Sequence, residues 1–101
     1  MAKSRRLPPV HPGEILKEHL MAPLGLSINR LARGLRVPVT RMSEIVNGRR
    51  SITAETALRV ARYFGTTPEF WMNLQAAYDL DVATRASADK IKRDVHPREA
   101  A

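Results

Sequence analysis

The side chains able to do chemistry in this chain are concentrated between positions 27 and 50, and most of them are arginines. Arg30, Arg33, Arg36, Arg41, Arg49 and Arg50 stand there against a single acid, Glu44. Guanidinium groups at this density suit phosphate: they carry fixed charge, donate in pairs and displace counterions from a nucleic-acid backbone. Other chemistries find less support. Glu14 and Glu18 lie one helical turn apart, as paired acid–base carboxylates can, but Lys17 is adjacent and no cleft-forming partners accompany them. A solvated helix face is the plainer reading. His11, His19 and His96 have no metal-like spacing, and the chain has no cysteine to supply a thiolate. No Ser/His/Asp constellation and no glycine-rich phosphate loop stands out. The expectation is a protein that is not an enzyme, with no catalytic residues, no metal and no cofactor.

Two short helices joined by a tight turn must carry the arginines. The first starts at Ser27, a good N-cap, and puts Leu31, Ala32 and Leu35 on one face. The second starts at Pro38, whose missing N–H suits a first helical position, and its Met42, Ile45 and Val46 share one apolar stripe. At about 100° per residue the opposite face holds Thr40, Ser43, Glu44 and Asn47, with Arg41 on the flank. A short helix with a buried stripe and a hydrogen-bonding outer face suits a DNA groove.

Composition agrees. The 101 residues fit one small domain, and 44% apolar content is enough for a core. Residues 1–78 hold 12 basic and 5 acidic side chains, and residues 79–101 hold 5 of each, so the net +7 lies wholly on the first part. Nucleic acid is therefore the leading partner class. No apolar run approaches the roughly 18 residues of a membrane span and no signal-peptide core is visible, so a cytoplasmic protein without membrane contact is expected.

Three segments follow. Residues 1–10 read as a flexible basic arm, either a DNA-contacting extension or a terminus with incidental charge. Residues 11–78 form the compact part. Its first helix opens at His11-Pro12-Gly13-Glu14, with Ile15, Leu16, His19 and Leu20 inward, and ends at residues 23–25. Thr53 caps a fourth helix with Ala57, Leu58, Ala61 and Phe64 inward, stopped by Gly65. Thr67-Pro68 caps a fifth, carrying Phe70, Trp71, Leu74 and Tyr78. Phe64 and Phe70 read as core, whereas Trp71 and Tyr78 suit either core or a dimer seam. Residues 79–101 are a tail or a marginal helix.

The HPGE opening, the EIVNGRR stretch after the second central helix and the FGTTPEFWMNLQ block together resemble the HigA-type, or virulence-associated protein I-like, antitoxins. These are helix-turn-helix proteins of the phage-repressor class, and the likeness covers residues 11–80. It implies an all-α, five-helix, lambda-repressor-like domain that is dimeric and binds an inverted-repeat operator in double-stranded DNA upstream of its own operon. It also implies a cognate toxin of the HigB type, a ribonuclease cutting messenger RNA. By carry-over, Val39, Thr40, Arg41, Ser43 and Glu44 lie nearest base edges. Chemistry then suggests Arg41 on guanine, Glu44 on cytosine N4 and Val39 on a thymine methyl. Arg33, Asn47, Arg49 and Arg50 are the phosphate candidates. The family has glycine in the turn where this chain has Arg36. Either Arg36 itself adopts the left-handed conformation, or Gly34 ends the first central helix early. A stand-alone repressor without a toxin, and an interaction module without operator binding, are the competing functions.

Overall fold

The computed structural model describes residues 8–99, so the basic arm expected at 1–10 lies almost entirely outside the described residues. Five helical rods and no strand are present among the described residues. The first, α1, runs Pro12–Ile15 as α-helix, Leu16–Met21 as a π turn and Ala22–Leu24 as α-helix again. His11 caps it, its Nδ1 accepting from the Gly13 N–H at 2.9 Å. The π turn is visible in the Ala22 N–H donating to the Lys17 carbonyl, five residues back. That spacing changes the inward set. Leu16 and Met21, five apart, are the buried pair, whereas the expected His19 faces solvent. A straight 3.6-residue wheel had placed His19 inward. Gly25, at φ 61°, closes the helix.

The central pair follows as α2, Ile28–Leu35, and α3, Val39–Val46. Ser27 Oγ accepts from the Arg30 N–H at 3.1 Å, as an N-cap should. Arg36 is the left-handed residue, at φ 61°, so the helix does not end early at Gly34. Gly34 instead makes room, since a Cβ there would sit 2.6 Å from a ring carbon of Tyr63. The Arg36 turn is clamped by Arg59, whose Nη1 donates to the Leu35 carbonyl at 3.0 Å. Pro38 is the N-cap of α3 rather than its first residue. Its ψ of 142° is extended, which turns the chain out of the left-handed Arg36, and Val39 starts the helix.

The fourth rod, α4, spans Ala54–Phe64 and the fifth, α5, Pro68–Asp94, each capped by its threonine. The expected inward Leu58 is 58% exposed; Thr56, Ala57, Val60 and Ala61 fill the face instead. At about 100° per residue, positions 56, 57, 60 and 61 span about 140° of the helix and position 58 falls about 60° beyond their edge. Phe70 also departs from the core reading, lying edge-on to Trp71 with about half its surface in solvent. Of the two states anticipated for residues 79–101, the helical one is found, continuous with the fifth helix through Asp94. Past residue 81 almost no side chain packs on the body, so local forces hold that stretch. Its Asp81–Arg85 and Lys90–Asp94 pairs at i, i+4 spacing, 2.9 and 2.7 Å, each contribute a few tenths of a kcal/mol.

The core gathers Leu16, Met21, Leu31, Ala32, Leu35, Met42, Ile45, Val46, Ile52, Ala57, Val60, Ala61 and Trp71. Trp71 is wholly buried there, with its indole N–H donating to Thr66 Oγ1 at 2.8 Å. A fully buried side chain has no surface to give a partner, which removes Trp71 as a dimer-seam residue. Tyr78 is half-buried, edge-on to His11 with ring centroids 4.8 Å apart.

Candidate nucleic-acid interface

The outer face of α3 rests on its buried stripe. Met42, Ile45 and Val46 are driven into the core, and the helical period then turns Thr40, Ser43, Glu44 and Asn47 the other way. Val39 and Thr40 are exposed at the start of the helix, and Ser43 and Glu44 are half-buried one turn on. Arg41, on the flank, reaches α4 and sits 3.6 Å from Glu55, which also holds Arg59 at 3.1 Å. The base-edge candidates are thus brought to one helix face and its edge.

The phosphate candidates divide. Asn47 spends its side-chain amide on its own helix, donating to the Ser43 carbonyl at 2.8 Å. Gly48, at φ 76°, then reverses the chain, and the Arg49 N–H closes on the Glu44 carbonyl at 2.7 Å. This turn places Arg49 and Arg50 just past the end of α3. Arg50 Nε donates to Glu44 Oε1 at 2.7 Å. The pairing joins a base-edge candidate to a phosphate candidate, and it offsets the repulsion between a carboxylate and nearby phosphates. Arg33 stands apart, on the outward side of α2 beside Arg30, Arg36 and Tyr63.

Sequence reasoning missed what anchors the Arg49–Arg50 turn. Gln75, a buried polar residue of α5, accepts the Ile52 N–H on its Oε1 at 2.8 Å and donates from its Nε2 to Asp79 Oδ1 at 2.9 Å. The signal was a glutamine four residues after Trp71, on the face that otherwise enters the core. His11 supports the same turn from the other side. Its ring lies in van der Waals reach of Gly48, 3.8 Å from where a Cβ there would stand.

Burial holds the His11 imidazole below its ordinary pKa of 6.5, outweighing the Arg50 backbone bond and the nearby Asp79, which both act upward. The Gly13 bond also requires an unprotonated Nδ1. Since the folded pKa lies below the unfolded one, the unfolded chain takes up the proton first. Stability from this residue is therefore complete above 6.5 and falls as pH drops from there through the folded value. Urea titrations at pH 7.5 and 5.5 should show a lower midpoint in acid. The difference should shrink in His11→Asn, which keeps a capping oxygen but does not titrate.

Among the described residues no group of His, Cys, Asp and Glu is placed to hold a metal ion, and no helix is long and apolar enough to cross a membrane.

Known proteins share this fold. The helix-turn-helix family profile matches residues 16–71, which takes in α2, the Arg36 turn and α3. Virulence-associated protein I of Dichelobacter nodosus is 50% identical over 82 residues, covering 81% of this chain and 76% of that protein. A solved addiction-module antidote protein of the HigA family from Coxiella burnetii is 53% identical, with a TM-score of 0.85 over 91% of this chain and all of that one. The Pseudomonas aeruginosa antitoxin HigA, solved with the higBA promoter, is 40% identical, with a TM-score of 0.86 over 90% of this chain and 99% of that one. On this evidence the chain belongs to the helix-turn-helix family, in the branch of the virulence-associated protein I and HigA antitoxins.

Proposed function

We propose that this protein is a dimeric, sequence-specific DNA-binding antitoxin that represses its own operon and neutralises an mRNA-cleaving toxin. The observation that carries the reading is the outward face of α3, with Val39 and Thr40 free at its start and Ser43 and Glu44 one turn on, held on a scaffold shared with a HigA solved with its promoter. Val39, Thr40, Arg41, Ser43 and Glu44 read base edges, Arg49 and Arg50 hold phosphate, and Asn47 finishes the helix that presents them. With Trp71 buried, the free stretch of α5 supplies the seam between two copies. Leu80, Ala83, Thr84, Ala88 and Ile91 line one apolar face there, and Leu80 is 70% exposed.

Binding to the DNA upstream of its own reading frame, against a scrambled duplex and across salt concentrations, tests the proposal. One dimer should saturate one inverted repeat whose half-sites lie about 10 bp apart. Thr40→Ala should lower operator affinity roughly 5-fold, the worth of one hydrogen bond, with scrambled DNA unaffected. Arg49→Ala should weaken both DNAs alike and reduce the log–log salt slope by about 0.9. Equal affinity of the unaltered protein for both duplexes defeats the operator reading. Co-purification with the product of the neighbouring reading frame tests the toxin half.

A further inference from the structure

The ion pairs sort the arginines into two sets. Arg41 and Arg50, near the recognition face, and Arg59, which clamps the Leu35 carbonyl between α2 and α4, each have a carboxylate partner. Arg30, Arg33, Arg36 and Arg62 have none among the described residues, nor has Arg49 at the end of α3, and the first four surround Tyr63 along a groove of about 500 Å³ and its continuation between α2 and α4. No acidic side chain lines either part. The unbalanced charge of the folded domain thus collects beside the recognition helix as well as on it.

Two of the four are also the wrong residues for their local structure. Arg30 is the third residue of α2, three after the Ser27 cap, where glutamate would complete a capping box and suit the positive end of the helix dipole. A guanidinium there works against the dipole. Arg36 holds φ 61°, a conformation that costs any residue but glycine. Both departures point into the same groove, and four like charges around one ring repel one another besides. Residues that break local rules together, with no carboxylate partner for either side chain among the described residues, mark a site used for something else.

We propose that the α2–α4 groove is a second nucleic-acid contact, taking the phosphate backbone of DNA beyond the base pairs read by α3. Guanidinium groups supply all of the groove's charge, beside the apolar surface of Leu26, Leu35 and Tyr63. It is continuous with α2, the helix that crosses the DNA backbone in this motif. Spaced cations beside an aromatic ring suit a phosphodiester track. The inference needs only that the chain binds nucleic acid, not that it prefers an operator.

The test uses the full chain carrying Arg30→Glu and Arg36→Gly together, and separately Arg62→Gln. The double variant completes a capping box and relieves the left-handed arginine, so it should melt at a higher temperature than the unaltered protein. On a non-specific duplex its log–log salt slope should fall by about 1.8, with Arg62→Gln lowering it by about 0.9. Higher stability with weaker binding is a combination that a purely structural role does not produce. Thr40→Ala serves as the control for base reading, since it should leave this slope unchanged. If the unaltered protein shows no operator preference, the proposed function fails while the slope comparison still decides the groove. A stabilised double variant with an unchanged slope overturns the inference, and an acidic protein would then be the partner such a groove suits.

Discussion

Gly13→Ala is expected to destabilise the fold by about 3–4 kcal/mol, a large part of what a domain of this size has. A Cβ at position 13 would overlap the Ile45 carbonyl oxygen, and would stand 2.8 Å from the Ile45 carbonyl carbon and 3.0 Å from the Val46 Cα. All three are backbone atoms inside a helix, so no rotamer change relieves the overlap. The start of α1 would have to back away from the end of α3, opening the core around Leu16 and Ile45. Alanine's better helix propensity returns about 1 kcal/mol, which does not offset a displaced helix. Gly34→Ala is the comparison. Its Cβ meets only the ring of Tyr63, a half-exposed side chain free to swing outward, so the net change should be small. Urea unfolding of both variants reads the difference, and a Gly13→Ala midpoint equal to that of the unaltered protein would refute the close-approach argument. The consequence reaches function, because the contact at Ile45 sets how α3 leans on α1 and therefore how its outer face is presented.

Trp71→Ala should cost about 3–5 kcal/mol through the cavity left by a wholly buried indole and the stranded Thr66 hydroxyl. Trp71→Phe keeps most of the volume and loses the N–H bond, for about 1 kcal/mol plus a smaller void. A seam residue would behave differently: its alanine variant would stay folded and dissociate. Sedimentation and thermal melting on the same samples separate the cases. The expected result is loss of the folded state at every protein concentration, with no folded monomer. The surface stripe on α5 should show the opposite pattern. Leu80→Asp places a charge on an already solvated position, so the fold should persist while the dimer weakens. A folded, monomeric Trp71→Ala would return that residue to the interface.

The HPGE motif and the EIVNGRR stretch, separate in the chain, are one structural statement. Gly13 touches Ile45, and the His11 ring packs against Gly48. Gln75, from the FGTTPEFWMNLQ block, fixes Ile52 on the other side of the same turn. The three motifs meet around the turn that carries Arg49 and Arg50, and together they keep it in register with α3.

What the sequence determined alone was whatever depends on a few adjacent residues. Ser27, Thr53 and Thr67 act as caps because the bond runs to a backbone N–H three residues on. Gly25 and Gly65 end helices because a left-handed residue is cheapest there without a Cβ. The outer face of α3 followed from three apolar residues and the helical period. What the tertiary structure decided depended on which surface came to meet which. The π turn of α1 put Met21 inward and His19 out, since local periodicity cannot register a single widened turn. Leu58 and Phe70 stayed in solvent and Trp71 went to the centre because hydrophobicity gives a preference for burial but not a place in the packing. Arg36 kept its left-handed turn with Arg59 clamped on the neighbouring carbonyl, a contact across 24 residues of sequence. The division of the arginines into paired and unpaired sets came last of all. It rests on where Glu44 and Glu55 ended up, and long-range placement of charge is a property of the folded chain, not of its order.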